Sequence, residues 1–342
     1  MKHLKRLLIL LYFVVSIFII IDYSPKAVSY EFENKWLNPK RPLIIPHGGA
    51  KMLYPENTIY AFEQTDIYDA FEIDLTLTKD DILMTHHDLD LSLDLGASFK
   101  DTLVRTLTYD EIIQTIKDND YPGVRNFVDI HGNKPYENVL DPELLDKLIP
   151  AKLEDIFKKY RHKFYILELK DIKVKEDYEK ATHLLIDLIE KYDLSEQVIV
   201  SSFSDEVMKY FKKQTHIHTS TAFKKSLNFI LLSAFNVDFF YRPNDAALII
   251  PNKEILTDKQ LSPLKYIPKF IQHKFMDKNQ KNSTHLGQSG IINDAHRHNM
   301  AVIYWTINDV DEMKELIKLG VDGIITDRPD ILHQLYLDLG LI

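Results

Sequence analysis

From residue 43 onward the chain alternates short β-rich runs with longer helix-patterned stretches, and few folds accept that alternation. Parallel strands cannot be joined by a tight turn; each needs a crossover, usually a helix, and the crossovers cover the sheet. The expected class is therefore α/β with a parallel sheet. Its strand candidates are Leu43-Ile45, Ala70-Leu75, Ile82-Thr85, Phe164-Leu169, Gln197-Ser201, His218-Thr221, Ala247-Ile250, Ala301-Thr306 and Gly323-Thr326. These overfill an eight-stranded barrel by one. Only Thr76 to Asp81 separate Ala70-Leu75 from Ile82-Thr85, too short a link for a crossover helix, so this corner should depart from regular βα alternation.

Local signals punctuate the rest. Thr108 with Glu111 three residues on makes a capping box. Asn308 is expected to cap a helix with the apolar face Val310, Met313, Leu316 and Ile317, stopped by Gly320. Residues 117–146 have weak periodicity and carry Pro122, Gly123, Gly132, Pro135 and Pro142, so they read as an inserted loop at the rim. Residues 277–290 read as a second loop. No internal repeat is visible.

The formal charge of -9, from 42 basic and 51 acidic residues without a long basic run, argues against nucleic acid as a partner. With no cysteine there is no disulfide, thiolate metal site or cysteine nucleophile. Segment 1–22 differs from the rest: Lys2, Lys5 and Arg6 precede an apolar run from Leu7 to Ile21 broken only by Ser16. As a helix that run covers ~22 Å against ~30 Å of hydrocarbon, a length that snorkelling Lys5 and Arg6 and an interfacial Tyr23 would extend. The reading adopted is a single-pass membrane anchor with the remaining chain exported. The alternative is a secretory signal cleaved at Ala27-Val28-Ser29. Residues 23–42, with Pro25, Pro39 and Pro42, read as a polar tether to a domain over 43–342.

Chemistry concentrates at strand ends. A strand repeats every two residues, so Glu72 and Asp74 point one way while Ile73 packs opposite. Glu168 and Lys170 share a face at the C-terminal end of Phe164-Leu169. Two carboxylates ~4 Å apart repel by roughly 4 kcal/mol at an effective dielectric of 20, so converging Glu72, Asp74 and Glu168 would need a cation or protons. Ligation by oxygen alone favours a hard divalent cation, Ca²⁺ or Mg²⁺. The same spacing also suits separate salt bridges, with Lys170 as one partner. His47, which ends an apolar strand at a Gly-Gly turn, and His87 are the natural acid–base pair, since imidazole titrates near neutrality. His86 reads as structural. Trp305, ending another strand, is equally suited to walling a substrate pocket or filling the core. No Gly-x-Ser-x-Gly elbow surrounds Ser202.

Several of these segments occur together in a recognisable order: Pro55-Glu56-Asn57-Thr58, Glu72-Ile73-Asp74, Thr78-Lys79-Asp80, His87-Asp88, Glu168-Leu169-Lys170, Ser201-Ser202-Phe203, Trp305-Thr306 and Gly320 through Pro329. In this the chain resembles the glycerophosphodiester phosphodiesterase domain family, from about Leu43 to the C-terminus. The resemblance implies a TIM-type (β/α)8 barrel that hydrolyses glycerophosphodiesters to glycerol 3-phosphate and an alcohol. It also implies metal ligation by Glu72, Asp74 and Glu168, a catalytic pair in His47 and His87, and a phosphate contact from Lys170. One departure is clear: the family reads His-Arg-Gly where this chain has His47-Gly48-Gly49. Loss of a charge-assisted arginine contact costs ~1.5–3 kcal/mol, which Lys170, the metal, Arg105 or Arg125 would have to offset. The expected function is metal-dependent diester hydrolysis. Alternatives are an exported phosphodiesterase acting on phospholipid headgroups or envelope glycerophosphate polymers, a weakened binding module of the same fold, and a membrane-tethered interaction domain. No protein partner is inferred.

Overall fold

The computed structural model of the chain describes residues 2–23, 34–37, 40–170 and 172–342. Its strands are β1 (Leu43–Pro46), β2 (Ala70–Leu77), β3 (Leu83–Thr85), β4 (Phe164–Leu169), β5 (Val198–Ser201), β6 (Ala247–Pro251), β7 (Ala301–Trp305) and β8 (Gly323–Thr326). One sheet runs β1-β8-β7-β6 and the other β3-β2-β4-β5. Every pairing but one is parallel. The exception is β3, antiparallel to β2 with Leu75 opposite Thr85, which resolves the overfull count: β3 is the extra strand at the irregular corner. The remaining candidate, residues 218–221, links the two sheets, Thr219 bridging Val200 and Ser220 bridging Ala247 in parallel sense. Among the described residues no ladder joins β1 to β2. Side chains connect them instead, Asp69 accepting from Ile44 N at 2.8 Å and Glu72 from Gly48 N at 2.7 Å. The result is an α/β fold with a parallel sheet, and its strand order is consistent with a TIM-type barrel.

Strand alternation sorts the core. Ile45, Ala70, Ile166, Ile199, Ala247, Ala301, Ile303 and Ile325 form an inner cluster. Their neighbours on the opposite parity pack outward: Phe71, Ile73, Tyr165 and Leu167 in one cluster, Ile44, Val302, Tyr304 and Ile324 in another. Continuing the inner parity two residues at a time carries five of the strands from an apolar side chain at the bottom to a polar or indole side chain at the mouth. Ala70 leads to Glu72 and Asp74, Ile166 to Glu168, Ile45 to His47, Ile303 to Trp305, and Ile325 to Asp327.

The tether expected over 23–42 needs correction. Trp36 is 0% exposed, belongs to the inner cluster and meets Phe164 edge-on at 5.1 Å. Asn34 fastens it, donating to the carbonyls of Ala246 at 2.7 Å and Asn299 at 2.8 Å. Residues 34–37 thus plug the bottom of the sheet ring, because the ends of strands from both sheets leave an apolar hole there that an indole fills. Residues 24–33 and 38–39, with the candidate cleavage site, lie outside the described residues. The N-terminal segment is a helix, Lys2–Tyr23, with exposed apolar side chains from Leu7 to Val15. Among the described residues no helix is long and apolar enough to cross a membrane, so they do not carry the single-pass reading.

The insertion is larger and better ordered than a rim loop over 117–146. Between β3 and the helix Leu153–Lys159 the chain builds several short helices around a core of its own, including Leu91, Val104, Ile112, Ile116, Val124 and Leu145. The capping box at Thr108 and Glu111 starts its longest helix, Tyr109–Asp118. His86 is buried at its base, bonded to Asp94 and to the Asp88 carbonyl, each at 2.7 Å. The helix Val310–Leu319 ends at left-handed Gly320, but its cap is Asp309, which accepts from Asp311 N and Glu312 N. Asn308 is diverted to the site.

Candidate active site

The two-residue alternation of β2 and the β2–β4 register, which sets Asp74 opposite Glu168, bring three carboxylates to one place. One oxygen from each of Glu72, Asp74 and Glu168 lies within 4.8 Å of the others. Lys170 reaches back over them, its Nζ 2.6 Å from Asp74 Oδ1 and 3.0 Å from Glu168 Oε1. The carboxylates are therefore not dispersed into separate salt bridges; one ammonium faces two of them. Asn57, left-handed at φ 58, locks Asp74 by donating to its Oδ2 at 2.9 Å and accepting from its backbone N at 3.1 Å.

One ammonium does not balance three carboxylates in a buried place, and the proton affinities record the excess. Burial and the Asp74 charge push Glu72 up to about 8, and burial also raises Glu168. Asp74 is held low, since Lys170 and the bond from Asn57 outweigh its burial. Lys170 is raised in turn: its own burial opposes the charge, but Asp74 and Glu168 prevail. Asp74 Oδ1 is buried, and the Lys170 ammonium is its charged partner. An all-oxygen donor set whose three carboxylates exceed the charge of the one ammonium beside them fits a hard divalent cation.

Both histidines flank this cluster. His47 follows β1 in a single 3-10 turn, and its Nδ1 lies 2.8 Å from Asp327 Oδ1, leaving Nε2 as the free nitrogen. Asp327 is itself held by Asn308, which donates to its Oδ2 at 2.7 Å and accepts from its backbone N at 2.9 Å. Burial opposes a charge on His47, but the bond to Asp327 and the nearby Glu72 raise its proton affinity. The turn is tight because Gly49 backs onto the helix Ile59–Gln64; a Cβ there would meet that of Ala61 at 2.7 Å. His87 enters after β3, its Nδ1 2.7 Å from Asp88 Oδ1, near enough to interact with Asp74 and Glu168.

Trp305 packs against the inner cluster, as the core-filling reading expects, and meets exposed Phe203 edge-on at 5.7 Å. Beyond Phe203 opens a cavity of about 420 Å³, also lined by Ile172, Lys173, Lys175, Tyr178 and Glu206. Neither arginine proposed as a substitute charge is free for that use. Arg105 is bonded to Asp81, Asp177 and the Thr78 carbonyl, and Arg125 to Asp120 and two backbone carbonyls. Three residues of the site went unassigned in the sequence: Asn57, Asn308 and Asp327. For Asp327 the available signal was its place one residue past an apolar strand, where barrel sites collect.

Comparisons with known proteins identify the family. The model of the glycerophosphoryl diester phosphodiesterase family matches residues 47–331. A glycerophosphodiester phosphodiesterase of Bacillus subtilis (strain 168) is 24% identical over 337 residues, 95% of this chain and 97% of its own length. A lysophospholipase D of Mus musculus is 23% identical over 317 residues, 88% of this chain and 84% of its own. Among solved structures, the glycerophosphoryl diester phosphodiesterase domain of a Mycobacterium tuberculosis protein has the same fold at TM-score 0.64 and 14% identity, covering 87% of this chain and 99% of that one. On the family match across most of its length, the chain belongs to the glycerophosphoryl diester phosphodiesterase family.

Proposed function

We propose that this protein is a phosphoric diester hydrolase that cleaves glycerophosphodiesters to glycerol 3-phosphate and an alcohol. The observation that carries the reading is the convergence of Glu72, Asp74 and Glu168, with His47 near Glu72 and His87 near Asp74 and Glu168. These carboxylates would hold a divalent cation, Ca²⁺ or Mg²⁺, which when bound supplies positive charge to a phosphoryl oxygen. The rest of the mechanism belongs to the chain. One of His47 and His87 accepts the nucleophile's proton and the other protonates the departing alcohol oxygen. Asp327 holds the His47 ring so that Nε2 faces the reaction. Lys170 adds a point charge at the phosphate and Trp305 walls the glycerol end.

The cavity beyond Phe203 is the natural continuation for the alcohol, being adjacent to Lys170 through Ile172, whose backbone N donates to the Lys170 carbonyl at 2.7 Å. Its mixed lining of aromatic, cationic and acidic side chains suits a polar or zwitterionic headgroup. The exposed apolar side chains of the helix Lys2–Tyr23, flanked by Lys5 and Arg6, support a second element of the proposal: this helix holds the enzyme at a membrane. Glycerol 3-phosphate release from glycerophosphocholine, with and without a chelator, tests the reaction. Metal-dependent release is expected; no release in any divalent ion would overturn it. Partition of the full chain with membranes, lost on deleting residues 2–23, tests the location.

A further inference from the structure

The strand end that carries His47 has a cation that the mechanism leaves unused. Lys51 stands one turn after the histidine, its backbone N donating to the His47 carbonyl at 3.3 Å. Its Nζ lies 3.6 Å from Glu56 Oε2, an ion pair too long for a hydrogen bond, and that oxygen is buried with no hydrogen-bond partner. The ammonium therefore keeps its donors while Glu56 holds its position. The Lys51 side chain is 28% exposed, so it reaches solvent at the mouth. Its charge acts on both His47 and Asp327 across the turn.

Gly48 explains why the charge comes from here. Its φ is +53, and a Cβ at that position would sit 3.3 Å from Glu56 Cβ and 3.4 Å from Glu56 Oε2. A side chain at 48 would therefore start in the left-handed region and run into the carboxylate that Lys51 already faces. Laid end to end, the distances of 3.4 and 3.6 Å put the Lys51 ammonium no farther than about 7 Å from that starting point, comparable with the reach of an arginine side chain. Arg105 and Arg125 are bonded elsewhere, and Lys170 faces Asp74 and Glu168.

We propose that Lys51, positioned by Glu56, is a substrate-binding residue that faces the diester phosphate from the His47 side of the site. The inference rests on the glycerophosphodiesterase reading and deepens it. An ammonium held by a 3.6 Å ion pair, beside His47, gives the phosphate a second cation besides Lys170, and as a compact point charge it suits a single oxygen rather than a bidentate grip.

The test uses the full chain with Lys51→Met, Lys51→Arg and Glu56→Gln. Calorimetric titration with glycerol 3-phosphate in the presence of Mg²⁺ reads the phosphate contact directly, and steady-state hydrolysis of glycerophosphocholine separates KM from kcat. K51M should weaken glycerol 3-phosphate binding by roughly tenfold or more and raise KM similarly, with a smaller change in kcat and an unchanged melting temperature. K51R should recover binding to within about threefold, while E56Q should fall between the two. Unchanged glycerol 3-phosphate affinity in K51M would overturn the assignment, as would a K51R protein no better than K51M. If the wild type bound glycerol 3-phosphate but released none from any diester, the reaction would fail while the titration still judged Lys51.

Discussion

Replacing Asp327 by asparagine removes one charge from behind His47 and little else. The carboxylate lies 2.8 Å from His47 Nδ1 and is buried, so the bond is charge-assisted when the ring is protonated. Such bonds are worth ~1.5–3 kcal/mol. At 1.36 kcal/mol per pH unit, His47 should lose roughly one to two units of proton affinity. The sign follows from the balance already present: burial pulls His47 down, Lys51 pulls with it, and Asp327 and Glu72 raise it. Asparagine would also present either its oxygen or its amide to Nδ1, and the amide choice moves the ring proton to Nε2, the wrong nitrogen for a base. Activity should therefore fall by about two decades or more in kcat/KM. The assay is kcat/KM against pH for wild type and D327N on glycerophosphocholine at saturating metal. One limb should move to lower pH by about one to two units. A moving acid limb makes His47 the base; a moving alkaline limb makes it the acid. A profile with neither limb displaced, in a protein that melts normally and keeps most of its rate, would remove Asp327 and its hold on His47 from the mechanism.

Three further outcomes follow from buried groups. Glu72 is raised to about 8, so the metal-free fold holds a proton that the unfolded chain releases, and stability should fall as pH rises from about 4.5 towards 8. Thermal melts in chelator should show this slope, and saturating Mg²⁺ or Ca²⁺ should flatten it and add ~2.7 kcal/mol at a hundredfold excess over Kd; a metal-insensitive slope would contradict the cluster. His86 is raised to about 9 by Asp94 and the Asp88 carbonyl despite its burial, so its contribution is complete below about 6.5 and lost as pH climbs through 9. Limited proteolysis should then cut the insert between β3 and the helix Leu153–Lys159 faster at about pH 9.5 than at about pH 6, a contrast that His86→Leu should abolish. Trp36→Ala should cost ~3–5 kcal/mol in denaturant unfolding while leaving KM unchanged, because the indole fills the end of the inner cluster opposite the catalytic mouth; a destabilisation under 1 kcal/mol, roughly a surface-sized effect, would deny the plug.

What the sequence made legible and what it hid divide along the range of the interactions. Strand parity is local: Glu72, Ile73 and Asp74 announce their faces by spacing alone, and the register with Glu168 follows once two apolar strands lie parallel. The overfull strand count was legible for the same reason, since a six-residue link cannot hold a crossover helix, and β3 duly turns back on β2. Trp36 was hidden because, with Leu37, it makes only a two-residue apolar run among polar residues and prolines; its place in the core exists only after Phe164 and the inner residues of distant strands have assembled. The insert hid its core because Pro122, Gly123 and Pro142 break the helical period while Ile112, Ile116, Val124 and Leu145 still meet in space.

Asn308 and Asp309 show the limit most directly. Both are good helix caps and they are adjacent, so local propensity cannot choose between them. The choice is made 18 residues away, where Thr326 donates its hydroxyl to Asn308 Oδ1 at 3.0 Å and Asp327 takes the amide. That leaves Asp309 to cap the helix, accepting from Asp311 N and Glu312 N. One exchange of cap duty thus frees the amide that orients Asp327, and Asp327 orients His47. A residue read as structural punctuation stands, through two hydrogen bonds, behind the imidazole proposed as acid or base, and no pattern confined to its own helix could have said so.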